Sequence, residues 1–157
     1  MWDTSIVITY LRDLPPVQEI SLKTLTLKLA MLCALVTGQR CQSIHLMNWE
    51  QLFMGTISSR NNTAGIDYTY FSRRTKAVCI HLFMWEYIKR TKPHRGGETR
   101  LFISYIKPHK WVSKDTIARW VKIVMQQAGL EERLFKPHST TLGCLLPQVK
   151  HFVLMCR

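Results

Sequence analysis

Apolar residues recur at three- and four-residue intervals along several stretches of this chain, the spacing of helix faces turned toward a core. Trp2, Ile6 and Tyr10 stand four apart behind Asp3, a capping residue, and Pro15-Pro16 ends that run because proline lacks an N–H and clashes with the preceding turn. Leu22, Leu25, Leu29, Leu32 and Val36 follow Ser21, a second cap, and Gly38 suits the left-handed position where such a helix stops. Gln39 to Met47 reads as the start of a further helix. Ala77 to Lys92 carries apolar residues at Ile80, Phe83, Met84 and Ile88. Ser113 caps a last helix with Ile117, Val121, Val124, Met125 and Ala128 on one side, closed by Gly129.

The other stretches lack that period. Gln51 to Lys76 holds short β-like pieces ("IDYTYF") among Asn, Gly and Ser, which predicts two or three strands of a small sheet. "LFISYI" reads as one more short strand. "RTKPHRGGE" is a turn-rich basic loop, since Pro93 and Gly96-Gly97 break any helix. No internal repeat, low-complexity tract or linker is evident. The expected fold is mainly α with a small antiparallel β-sheet (α+β), in a single domain over residues 1–157. A chain of this size can bury roughly 68–70% of the surface that it exposes when unfolded.

Charge changes the picture more than composition does. Twenty-two Lys and Arg face ten Asp and Glu, a formal net charge of +12. Such an excess steers polyanions, nucleic acid first and anionic membrane surface second. The longest apolar run, Leu29 to Val36, is too short to span a bilayer. The five cysteines (Cys33, Cys41, Cys79, Cys144 and Cys156) are odd in number, and no signal-peptide pattern opens the chain, which indicates a reducing compartment and packed, free thiols. Cys79 and His81 lie two apart with no second ligand pair, so no zinc site is expected. Asn61-Asn62-Thr63 matches a glycosylation sequon that means nothing without secretion.

Several residues admit both a binding and a packing role. Trp85, Trp111 and Trp120 can stack on bases, although aromatics at helical spacing usually belong to a core. Lys89, Arg90, Lys92, His94 and Arg95 form either a phosphate-contacting or nuclear-address cluster, or a solvated surface. His45 and His81 read as packed or surface residues rather than catalysts. Arg40, directly after an apolar helix and Thr37-Gly38-Gln39, is either a buried arginine that requires an anion or a solvent-facing one at a helix end. "FKPHST" sets His138 between a basic residue and two hydroxyl residues, with Thr141 three positions on.

The run "MLCALVTGQRCQSIHL" resembles the first box of the tyrosine recombinases (phage-integrase family). "EYIKRTKPHRGGETRLFISYIKPHKWVSKDTIARWVKIVMQQAGLEERLFKPHST" resembles the recombinases of DIRS-like and Crypton-like eukaryotic mobile elements, and "WDTSIVITYLRDL" is similar too. The likeness covers Trp2 to Trp49 and Val78 to Thr140, whereas Gln51 to Ala77 is shortened and everything after Thr141 departs. It implies the catalytic core of a DNA breaking-rejoining enzyme, truncated at its C-terminus and without the usual N-terminal core-binding domain.

The resemblance also implies site residues. Family members cut DNA through a 3′-phosphotyrosyl link without a metal or other cofactor. Arg40 matches the first of two arginines that hold the phosphate, a task suited to the planar, permanently charged guanidinium. His138 matches the first residue of the H-x-x-R box, and the two are expected to face each other across a basic concavity. Thr141 stands where that box has its arginine, and losing one transition-state donor costs on the order of 2.7–4 kcal/mol. The general-acid lysine falls to Lys76, with Arg73 or Arg74 as alternatives. No tyrosine follows Tyr105, so the nucleophile is missing from the sequence.

The expected function is therefore a catalytically inactive, DNA-binding remnant of a recombinase or integrase. Phosphate contacts would come from Arg40, Lys107, Lys110, Lys114, Arg119 and Lys136. The expected partner is duplex DNA, with self-association on it, no membrane, and a nuclear location if the protein is made. The alternatives are a non-enzymatic basic interaction module, a non-functional genomic relic, and an active recombinase that takes its tyrosine from another chain.

Overall fold

The computed structural model describes residues 3–54 and 80–130, with the backbone alone for residues 52–54 and 81. Those residues form α1 (Thr4–Asp13), α2 (Leu22–Thr37), α3 (Cys41–Ile44), α4 (Trp49–Met54), α5 (Ile80–Thr91), a 3-10 turn (Lys92–His94) and α6 (Lys114–Gln127). The architecture is mainly helical, as the periodicity predicts. Three helices start where their caps indicate. Asp3 accepts from the Ser5 N–H, Ser21 from the Thr24 N–H and Ser113 from the Thr116 N–H, each satisfying an amide that the first turn leaves without a partner. Gly38 ends α2 at φ 62°, with its N–H bonded to the Ala34 carbonyl.

The core is built around α2, which packs against both α5 and α6. Residues Leu25 to Leu35 are buried without a break, so α2 is enclosed on nearly every side rather than along one stripe. Lys28 falls inside that run. Only 4% exposed, it lays its Nζ 4.2 Å from the centre of the Phe83 ring, and desolvation lowers its pKa. The α6 face of Ile117, Trp120, Val121, Val124 and Met125 closes the core from another side. α1 packs against α6, and Tyr10 donates to Gln127 Oε1 at 3.0 Å.

The α1 stripe differs from the expected one. Ile6 is exposed, while Thr4, Val7, Ile8 and Leu11 are buried. Positions 4, 7, 8 and 11, spaced three, one and three, make a broader face than the four-residue ladder through Ile6 and Tyr10, and that broader face wins the core. Trp2 lies outside the described residues. Gln39 to Met47 yields only the single turn of α3, and residues 51–54, expected to begin the sheet region, continue a helix instead. The "IDYTYF" segment lies outside the described residues, so a small sheet stands as an expectation there.

"LFISYI" does not form a strand. Its segment makes two isolated antiparallel bridges, Asn48 with Arg100 and Ile103 with Trp111. The first is framed by Leu101 N–H to Met47 O at 2.7 Å and Trp49 N–H to Thr99 O at 3.0 Å. The second is framed by Ser104 N–H to Lys110 O at 2.8 Å and Val112 N–H to Phe102 O at 3.4 Å. Leu101, Phe102 and Ile103 are all buried in succession, whereas a strand would send alternate side chains to opposite faces. The consecutive burial fits a bent connector that threads the core between α5 and α6. No helix among the described residues is long and apolar enough to cross a membrane.

Candidate nucleic-acid interface

The Thr37–Arg40 corner follows from local chemistry. Thr37 Oγ1 donates to the Cys33 carbonyl at 2.7 Å and accepts from the Gln39 N–H at 3.2 Å, holding the chain as it leaves α2. Gly38 takes the left-handed conformation that a side chain would disfavour. Arg40 is then the extended N-cap of α3, and its carbonyl accepts from Ser43 N–H and Ile44 N–H. The residue is exposed, so its charge needs no anion to offset burial. Among the described residues no ion pair engages it.

The basic run 89–95 divides into two kinds of residue. Arg90 bonds Glu86 Oε1 at 2.7 Å, and its guanidinium reaches the carbonyls of Ile20 at 2.6 Å, Val17 at 2.8 Å and Gln18 at 3.2 Å. It clamps the turn before α2 onto α5. Arg95 is buried, with Nε on Thr91 Oγ1 at 3.0 Å, one terminal nitrogen on Arg100 O at 2.6 Å and the other on Leu101 O at 2.7 Å. Burial lowers its pKa, partly countered by Tyr87 and Glu98. Both arginines are structural. Lys89, Lys92 and His94 remain exposed.

The basic excess is uneven along the chain. Residues 3–54 hold four Lys and Arg against four Asp and Glu, whereas residues 80–130 hold ten against three. Lys107 and Lys110 lie on an exposed loop, residues 104–111, which folds on itself through the Ser104 and Lys110 backbone bonds, Ile106 N–H to Ser104 Oγ at 3.1 Å, and His109 Nδ1 against Ser104 O at 2.8 Å. Lys114 opens α6 and Arg119 lies in its second turn, between the buried Ile117 and Trp120. All four cations are exposed, and none forms an ion pair among the described residues.

The three tryptophans also part company. Trp120 is core, packed edge-on to Phe102 and tilted against Tyr105. Trp85 and Trp111 are half exposed; Lys89 lies 5.0 Å over the former and the Arg100 guanidinium 4.2 Å over the latter. Cys33 and Cys41 are free thiols, and burial pushes both up from the ordinary range, away from reactivity. His45 is partly buried, and its Nδ1 has no hydrogen-bond partner among the described residues. His138, Thr141, Lys76, Arg73, Arg74 and Lys136 lie outside the described residues, as do Cys79, Cys144, Cys156 and the sequon.

One arrangement escaped the sequence reading. The imidazoles of His94 and His109 stack with ring centres 4.5 Å apart and a 34° tilt. Both belong to a repeated tripeptide, Lys-Pro-His, at residues 92–94 and 107–109, and a third copy at 136–138 carries His138. That repetition was the available signal. Compared with family models, curated proteins and solved structures, the chain matches none.

Proposed function

We propose that this chain is a DNA-binding remnant of a mobile-element tyrosine recombinase, which holds duplex DNA by its phosphates and does not cut it. The observation that carries the reading is the set Lys107, Lys110, Lys114 and Arg119, exposed and without ion-pair partners among the described residues, in the segment 80–130 where the basic excess of the described residues falls. Cations already neutralised by carboxylates would add little to a phosphate contact, and these are not. Arg40, exposed at the corner of the "TGQR" run, supplies the family-matched phosphate ligand. Supporting the family reading are the two flanking resemblances; the small sheet and the pairing of Arg40 with His138 in one cleft belong to it.

Inactivity follows from Thr141, which is neutral and too short to replace a guanidinium. Two measurements test the proposal. Labelled duplex DNA titrated at low and moderate salt is expected to bind with a steep salt slope, about 0.9 per neutralised phosphate, and little sequence preference. Binding that is absent at low salt, or indifferent to salt, overturns the DNA-binding reading. Incubation with a nicked suicide substrate is expected to give no covalent band on a denaturing gel. Thr141→Arg is expected to tighten binding by about 1.5–3 kcal/mol, the range of a charged hydrogen bond, still without cleavage. An adduct from the unmodified chain overturns the inactive assignment.

A further inference from the structure

The stacked histidines line a cleft of about 540 Å³ between the 3-10 turn and its following Gly-Gly bend on one side and the 104–111 loop on the other. Its wall includes His94, Arg95, Gly96, Gly97, His109 and Lys110. We propose that this cleft is a phosphate-binding site, switched on when the His94–His109 pair takes up protons.

The argument begins with the ring nitrogens. A carbonyl oxygen can only accept, so His109 Nδ1, 2.8 Å from Ser104 O, carries the hydrogen. That fixes the tautomer and leaves the ring's lone pair on Nε2. No hydrogen bond ties the His94 ring among the described residues, and that residue is exposed. When both rings are neutral their stacking is an ordinary aromatic contact. When both are protonated, two like charges stand at a 4.5 Å ring separation in a cleft that Lys110 also lines, while the Arg95 guanidinium is turned away to Thr91, Arg100 and Leu101. The one carboxylate on the cleft wall is Glu98, and its Oε1 already accepts the Arg100 N–H at 3.0 Å. Lys92 and Lys107, one residue before each Pro-His pair, add two more cations nearby. Protonation therefore creates a site that repels itself until an anion sits between its parts.

The backbone suits the same ligand. Arg95 lies in the right-handed region at φ −78° and ψ −27°, followed by Gly96 at φ 53° and Gly97 at φ 91°. Successive N–H groups in such a right-to-left-handed sequence converge on a concavity that accepts anions. Neither the Gly96 nor the Gly97 N–H has a backbone acceptor among the described residues. A Cβ built on either glycine meets nothing within 4 Å, so no neighbouring group fills the space beside the bend. Phosphate, with oxygens disposed on several sides, matches donors arriving from imidazole, ammonium and amide. Free phosphate and a DNA phosphodiester share this chemistry, and the test separates them.

The intact chain is titrated calorimetrically with inorganic phosphate and, in parallel, with sulfate at constant ionic strength, near pH 5.5 and near pH 8, which bracket the range where histidine changes charge. Sulfate keeps its charge across that range, and phosphate gains negative charge toward pH 8, so the anions by themselves give no reason for tighter binding in acid. The expected result is binding of both anions near pH 5.5 that weakens about tenfold or more near pH 8, the factor expected for about one proton unit of linkage. The double variant His94→Gln/His109→Gln, checked for an unchanged melting temperature, is expected to lose the pH dependence. Lys110→Gln is expected to weaken binding at both pH values. A short duplex that displaces phosphate near pH 5.5 identifies the DNA backbone as a source; failure to displace assigns the site to free phosphate. No binding near pH 5.5, equal or tighter sulfate binding near pH 8, or an unchanged pH dependence in the double variant overturns the proposal. Duplex binding near pH 8 tests the DNA reading separately, because the histidine pair is then silent.

Discussion

Arg90 and Arg95 look like any other cations in the run from Lys89 to Arg95, because nothing in the run distinguishes a buried guanidinium from a solvated one. Their partners are backbone carbonyls at Val17 to Ile20 and at Arg100 and Leu101, and the first set lies about seventy residues away along the chain. Replacing Arg95 by Met leaves two carbonyls unpaired, each worth about 1–3 kcal/mol, so Arg95→Met is expected to lower stability by on the order of 3 kcal/mol in urea unfolding. Lys92→Met, at an exposed neighbour, is expected to stay within about 0.5 kcal/mol. Tyr87 offers a second test. It is fully buried, donates to Ile103 O at 3.2 Å and accepts from Ile103 N–H at 3.1 Å, and burial pushes its phenol up to about 12. An unfolded tyrosine loses its proton near pH 10. The fold therefore favours the protonated phenol, and the associated stability is fully present below about pH 10 and lost as the pH rises toward 12. The loss amounts to on the order of 3 kcal/mol. Tyr87→Phe is expected to be less stable at neutral pH, with the Ile103 N–H orphaned, yet to show a smaller alkaline decline than the parent when melting is followed against pH.

At the scale of elements, legibility tracked how local the determining interaction is. The starts of α1, α2 and α6 were readable because Asp3, Ser21 and Ser113 cap amides only two or three residues away. Ser113→Ala is expected to cost about 1 kcal/mol in thermal or urea unfolding, more than Ser104→Ala would through any helix. The face that α1 buries was not readable, since that choice is made by α6, more than a hundred residues on. "LFISYI" has strand-like composition, but the core on both sides of it takes three neighbouring side chains at once and leaves one bridge on each flank. The complete enclosure of α2 was half legible: the stripe from Leu22 to Val36 was evident, whereas the burial of Thr26, Lys28 and Cys33 depends on two partner helices.

For the molecule as a whole, net charge was legible and its distribution only in part. The basic excess of the described residues falls within 80–130, where two arginines are consumed by the fold and the loop and α6 cations are left to solvent. Lys107→Ala and Lys110→Ala are each expected to reduce the salt slope of duplex binding by about one, whereas Lys23→Ala, in the charge-balanced half, is expected to leave it unchanged. Fluorescence anisotropy over a salt series reads the difference. Arg40 was singled out by its setting after an apolar helix, and its exposure was not readable there; the His94–His109 pair was hidden because fifteen residues separate the two rings and only the bend at Gly96-Gly97 and the return through Leu101 to Ile103 bring them together.

The enclosure of α2 has a consequence for how the protein comes into being. A ribosome makes this helix before the two helices that cover it, which begin at Ile80 and Lys114. While translation passes through the intervening residues, Leu25 to Leu35 lack the two helices that enclose them and must stay partly wet, pair wrongly, or be sheltered by a chaperone. Contacts this distant in sequence also slow the search once the whole chain is released. Nascent chains arrested when Met54 has just cleared the exit tunnel should therefore be captured by holdase chaperones and digested readily by protease, and protection should arrive only when Gln127 has cleared it.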